Sequence, residues 1–165
     1  TKTEIANIAA AFGLAMTLGG AALGGVLVAR FGIAPILLFT AFMAPATNLT
    51  FAWLAYIGPQ QYGLIMAIIA DNETGGMAIA VFIAYLSSLT NTAYTATQYA
   101  LFSSIMTLPG QFAAGFTGVL AANVGWISFF FVTALTGLPA IILAALLLKI
   151  AHPDKVKRPG MDQAG

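Results

Sequence analysis

Between Arg30 and Lys149 the only formally charged residues are Asp71 and Glu73. A water-soluble domain carries about a quarter charged residues, because its surface faces water. Here the charged share is 7%, the hydrophobic share 60% and the mean hydropathy +0.94. So few charges cannot clothe a soluble fold, and a chain this apolar does not stay disordered. A soluble enzyme is excluded. A net charge of +1 supplies no field that would attract nucleic acid. The chain reads as an integral membrane protein, with the lipid bilayer as its solvent.

Apolar runs of 18 or more residues read as membrane spans, since about 20 helical residues cross the hydrocarbon core. Five such runs appear, at about 4–29, 35–57, 62–89, 95–122 and 126–150. A closed β-barrel is the other spanning architecture. Its strands would alternate apolar and polar residues, and the run from Ala140 to Leu148 does not alternate. The expected fold is therefore all-α and polytopic. Residues 1–150 form a transmembrane bundle, and 151–165 form a polar cytoplasmic tail. Turn chemistry separates the spans: Gly32 and Pro35, Gly58-Pro59, Asn91-Thr92, and Asn123-Val124-Gly125. Connections this short make consecutive helices antiparallel.

Orientation follows from Lys and Arg near the span ends. Lys149, Lys155, Lys157 and Arg158 assign the C-terminus to the cytoplasm, and Arg30 falls on the same side when the spans are counted back. The start of the chain then lies outside, where Lys2 and Glu4 nearly cancel. Five spans beginning outside fit a bundle that has lost an upstream helix. Thr1 in place of Met, with no signal peptide after it, agrees with a piece cut from a longer protein. Pro45, Pro109 and Pro139 fall near the middle of three spans, and each is expected to bend its helix.

The strongest polar signal is Asp71-Asn72-Glu73-Thr74-Gly75-Gly76, about a third of the way along the third span. A carboxylate at such depth costs roughly 2.5–3.5 kcal/mol on insertion scales, so it needs a partner or a water-filled cavity. Three uses compete: proton carrier, counter-charge for a cationic substrate group, or acceptor for sugar hydroxyls. The bland alternative starts the helix near Asn72, with Asp71 as an interfacial N-cap. Asp71 and Glu73 are two residues apart, point to nearly opposite sides of a helix, and are no catalytic pair. The second signal is Tyr94, Thr95 and Gln98 at the cytoplasmic start of the fourth span. Tyr94 and Gln98 share a face and present polar handles on aromatic or extended bodies, as sugar-binding surfaces do. An interfacial aromatic belt is the competing reading.

The remaining polar residues point to packing. Asn7, Thr17, Asn48 and Gln111 read as interhelical hydrogen-bonding groups, and Gly20-Ala21-Ala22-Leu23-Gly24 as a GxxxG stretch that lets backbones approach. There is no cysteine, and the single histidine, His152, lies in the tail. No metal site, cofactor or enzymatic nucleophile is expected. Two glycosylation sequons, at Asn48 and Asn72, fall inside spans and are discounted.

Five stretches resemble known families. Gly25-Val26-Leu27-Val28-Ala29-Arg30-Phe31-Gly32 resembles the G-x-L-x-D-R-x-G signature of major facilitator superfamily transporters, with Ala29 where the signature has Asp. The charge-relay part of that signature is therefore absent. Its place would make the five spans the eighth to twelfth of a twelve-helix fold. The Asp71–Gly76 run, Phe82–Ser88, Tyr94–Ser104 and Gly125–Phe130 closely resemble the AmpG muropeptide permeases, a family that includes acetyl-CoA transporters.

That resemblance implies a proton-driven symporter of the bacterial inner membrane, importing anhydromuropeptides for peptidoglycan recycling. It implies a missing N-terminal half as partner. It also places Asp71 and Asn72 at a central cavity and Tyr94, Thr95 and Gln98 on its inner side, with Glu73 ranked below Asp71. Acetyl-CoA is the rival cargo, and a dense cationic cavity for its phosphates would favour it; between Arg30 and Lys149 no Lys or Arg occurs to build one. Outside the transporter class, an intramembrane enzyme would need a reactive pair that Asp71 and Glu73, on opposing faces, do not provide, and a structural bundle would have little reason to keep a carboxylate at depth.

Overall fold

The computed structural model describes the backbone of residues 2–58, 60–90 and 95–150. It consists of α1 (Lys2–Phe31), α2 (Ile33–Ile57), α3 (Gln61–Leu89), α4 (Thr95–Val124), α5 (Trp126–Thr136) and α6 (Leu138–Ile150). Five stretches are long and apolar enough to cross a bilayer, with α5 and α6 together making the fifth. The described residues contain no strand. The multi-pass helical architecture expected from the apolar runs is the one observed. The tail beyond residue 150, with His152 and its basic residues, lies outside the described residues, as does the Asn91-Thr92 link.

Three helices end on glycines whose backbone no other residue adopts readily. Gly32 and Gly58 have φ 88° and Gly125 has φ 77°, with ψ near 180°, a region that is essentially glycine's own. In each, the N–H closes the preceding helix by bonding four residues back: to Val28, Leu54 and Ala121, at 2.8, 3.1 and 3.0 Å. The chain then reverses in one or a few residues, so neighbouring spans are antiparallel.

The prolines act unevenly. Pro45 and Pro109 lie inside helices that remain continuous. The last span instead breaks at Gly137, two residues before Pro139. Pro139 has no N–H for the Leu135 carbonyl, and its ring crowds the preceding turn. Gly137 answers with a tighter bond, three residues back to Ala134 at 3.1 Å, and the α-helix resumes when Ile141 bonds to Gly137 at 3.1 Å.

α3 is the organising element. It packs most extensively on α1 and next on α2, and α2 turns another side to α5 and α6. Among the described residues, α4 touches only α5 and α3, thinly. The core is small: Ile36, Met77 and Val81, flanked by Leu27, Val28 and Leu37. Large side chains such as Leu18, Phe42, Phe112, Phe116 and Leu143 stay exposed. In water that exposure would be ruinous. Against lipid tails it carries no penalty, and helices associate through close packing and hydrogen bonds instead.

Candidate functional site

Along α1, Gly13, Thr17, Gly20 and Gly24 follow one another at spacings of four and three, so they line one face. That face meets α3. A Cβ on Gly20 would collide with the Glu73 carbonyl, and one on Gly76 would collide with the Thr17 carbonyl. A Cβ on Gly24 would stand 3.0 Å from Met77 Cγ, and one on Gly13 would stand 3.3 Å from Asn72 Oδ1. Gly19, Gly25 and Gly75 face open space. Within the GxxxG stretch, Gly20 and Gly24 therefore make the contact expected of it.

This close approach carries Asn72 to α1. Its Nδ2 donates to the Ile68 carbonyl at 2.8 Å, which leaves Oδ1 to accept from Thr17 Oγ1 at 3.3 Å. The Thr17 hydroxyl lies nearer still to the Gly13 carbonyl, at 2.8 Å. Thr17 is thus the interhelical hydrogen-bonding group expected from its isolation.

Asp71 turns the other way, to α2. Its Oδ1 accepts from Thr47 Oγ1 at 3.0 Å. Thr47 is buried, Asp71 is half-buried, and the same Thr47 hydroxyl lies 2.9 Å from the Ala44 carbonyl. Since α3 is continuous from Gln61, Asp71 is not a helix N-cap. Since Thr47 sits at the middle of α2, a helix long and apolar enough to cross a membrane, Asp71 is level with the middle of that helix. An interhelical hydrogen bond in a membrane protein contributes on average about 0.6 kcal/mol, against roughly 2.5–3.5 kcal/mol to place a carboxylate there. Thr47 alone does not offset that cost.

Glu73 is half-buried on the side of α3 away from Asp71, and among the described residues its carboxylate has no hydrogen bond. The second candidate group is only partly described. Tyr94 and the Thr95 side chain lie outside the described residues, while Gln98 is half-buried near the start of α4 and already engaged. Asp71 stands 18 residues before the end of α3, and Gln98 three residues into α4. At 1.5 Å per residue in antiparallel helices, the two levels are roughly 20 Å apart along the bundle. Asp71 and Asn72 share one level but face different helices, and Gln98 belongs to another level.

Two of the expected packing residues show no such bond among the described residues. Gln111 is exposed on α4 and makes no interhelical bond among the described residues, because α4 is barely packed. Asn48 is half-buried without a described side-chain bond; its neighbour Thr47 holds the interhelical contact. Sequence reasoning missed Thr47. The available signal was a hydroxyl two residues after a mid-span proline, on a helix with no charge of its own. The Asn7 side chain lies outside the described residues.

Comparison with known proteins places this geometry in context. Residues 1–164 match the Major Facilitator Superfamily. The chain is 35% identical over 147 residues to "Putative transporter AmpG 4" of Rickettsia conorii, covering 89% of this chain and 36% of that protein. It is 28% identical over 140 residues to the "Anhydromuropeptide permease" of Escherichia coli K12, covering 85% of this chain and 28% of that protein. It is also 35% identical over 130 residues to "Putative transporter AmpG 3" of Rickettsia prowazekii, at 79% and 31% coverage. The chain spans about a third of the length of these relatives.

Proposed function

The chain belongs to the major facilitator superfamily, and from that premise we propose that it forms part of a proton-driven importer of anhydromuropeptides. The observation that carries the reading is the half-buried Asp71 carboxylate, level with the middle of α2 and held, among the described residues, by one neutral donor, Thr47. Transporters of this kind bind substrate and coupling ion near the bilayer midplane, between two repeats that rock. Asp71 is the proton-binding group, and Asn72 contributes to the substrate site beside it. Tyr94, Thr95 and Gln98 line the inner approach. Glu73, on the opposite side of α3, has a secondary role.

Cargo and location rest on likeness. The similarity to the Escherichia coli anhydromuropeptide permease supports a cell-wall fragment as substrate and a bacterial inner membrane as the site. The basic residues after Ile150 support a cytoplasmic C-terminus. The remaining helices of the transporter complete the cavity. None of this calls for an enzymatic step or a cofactor.

The test is uptake of labelled anhydromuropeptide by cells expressing the full-length gene product that contains these residues, with and without a protonophore. Accumulation that collapses with the protonophore is expected. Uptake indifferent to it overturns the proton drive, and absence of uptake by correctly inserted protein removes the cargo assignment.

A further inference from the structure

The Thr47 hydroxyl has one proton and two acceptors within reach: the Ala44 carbonyl at 2.9 Å and Asp71 Oδ1 at 3.0 Å. Which acceptor takes the proton depends on Asp71. An ionised carboxylate is the stronger acceptor and draws the hydroxyl to itself. A neutral carboxyl donates its own proton to Thr47 Oγ1, and Thr47 then donates to Ala44. The Ala44 carbonyl therefore gains or loses a hydrogen bond with the protonation state of Asp71.

That carbonyl sits at a sensitive place. Ala44 immediately precedes Pro45, which has already removed the N–H that would bond to the Ala41 carbonyl. Threonine hydroxyls that bond back to the helix backbone bend it, and proline turns are where helices bend most readily. The ring of Pro45 lies against Gly137, with no room there for a Cβ. Gly137 is where α5 gives way to α6 and the regular hydrogen-bond ladder is interrupted. We infer that Thr47 is a positioning residue that couples the protonation of Asp71 to the Pro45–Gly137 contact, and so to the α5–α6 break.

This rests on the reading of Asp71 as the proton-binding group. No other charge on a described side chain faces the pair. α2, α4 and α5 contain none; the described charge of α1 is Arg30 in its last turn, that of α6 is Lys149 in its last turn, and Glu73 points to the opposite side of α3.

The experiment places spin labels at Phe39→Cys and Tyr56→Cys, both exposed and on either side of Pro45. It uses the full-length gene product in lipid nanodiscs on a background free of other cysteines. The distance distribution across α2 is expected to shift between acidic and alkaline pH, and to shift equally in Thr47→Ser. It should become independent of pH in Thr47→Val and in Asp71→Asn. A shift that survives either of those two variants, or no shift in the unmodified protein, overturns the coupling. In parallel, Thr47→Val should lower proton-driven uptake about tenfold and flatten its pH profile, as for loss of a hydrogen bond to an ionised group, and Thr47→Ser should restore both. The distance measurement needs no substrate, so failure of the muropeptide assignment silences uptake without touching it.

Discussion

Gly20 meets the main-chain carbonyl of Glu73 with no space between them for a side chain, and Gly76 meets the carbonyl of Thr17 in the same way. The two contacts are reciprocal: each helix offers a glycine to the other's backbone. Between membrane helices there is no hydrophobic drive, and van der Waals contact must hold the pair. This seam fixes the rotation of α3, and that rotation sends Asn72 to α1 and Asp71 to α2.

Alanine at Gly20 or Gly76 is therefore expected to destabilise the protein by about 1–3 kcal/mol, the usual cost of overpacking. Alanine at Gly19 or Gly25, which face open space, should be neutral or slightly stabilising, since alanine is the better helix former by about 1 kcal/mol. Thermal unfolding of the purified protein, followed by loss of the monodisperse peak in detergent, checks both. Equal effects at all four positions would argue against the seam.

Gly137→Ala should clash with Pro45 and lower stability by a similar amount. In a Pro45→Ala background the ring is gone, and the same change should cost much less. Residues in direct contact couple by about 0.5–3 kcal/mol in such cycles. Strict additivity would show that the two do not press on each other.

Asp71→Asn is expected to leave insertion and folding intact, because the amide oxygen still accepts from Thr47, and to abolish proton-driven uptake. Glu73→Gln should reduce uptake far less, given that the two side chains point apart. Uptake assays normalised to the amount of inserted protein decide it. Normal transport by Asp71→Asn would end the proton-binding role assigned to that carboxyl.

Thr17→Val should have a small effect on stability, near the average of about 0.6 kcal/mol for interhelical hydrogen bonds in membranes. Its bond to Asn72 is long, at 3.3 Å, and the Gly13 carbonyl is the nearer acceptor. A thermal shift as large as that of Gly20→Ala would show that the hydroxyl, and not the small-residue seam, holds α1 to α3.

Much of this was open to view in the amino-acid order. The scarcity of charge between Arg30 and Lys149 pointed to a membrane protein, and the apolar runs pointed to five helices long enough to span a bilayer. The close-packing role of Gly20 and Gly24 was also readable, because helical spacing is a local property. The break at Gly137 was displaced by two residues from the proline that causes it, since the ring acts on the turn before. Thr47 was invisible for another reason. It is 24 residues from Asp71 in sequence, and periodicity says nothing of which face of one helix meets which face of another. Composition and spacing decide what enters the membrane and where each helix ends. The pairing of Thr47 with Asp71, and of Pro45 with Gly137, depends on how far the helices rotate and how closely they approach, and glycine-to-backbone contacts set both only once the helices are packed together.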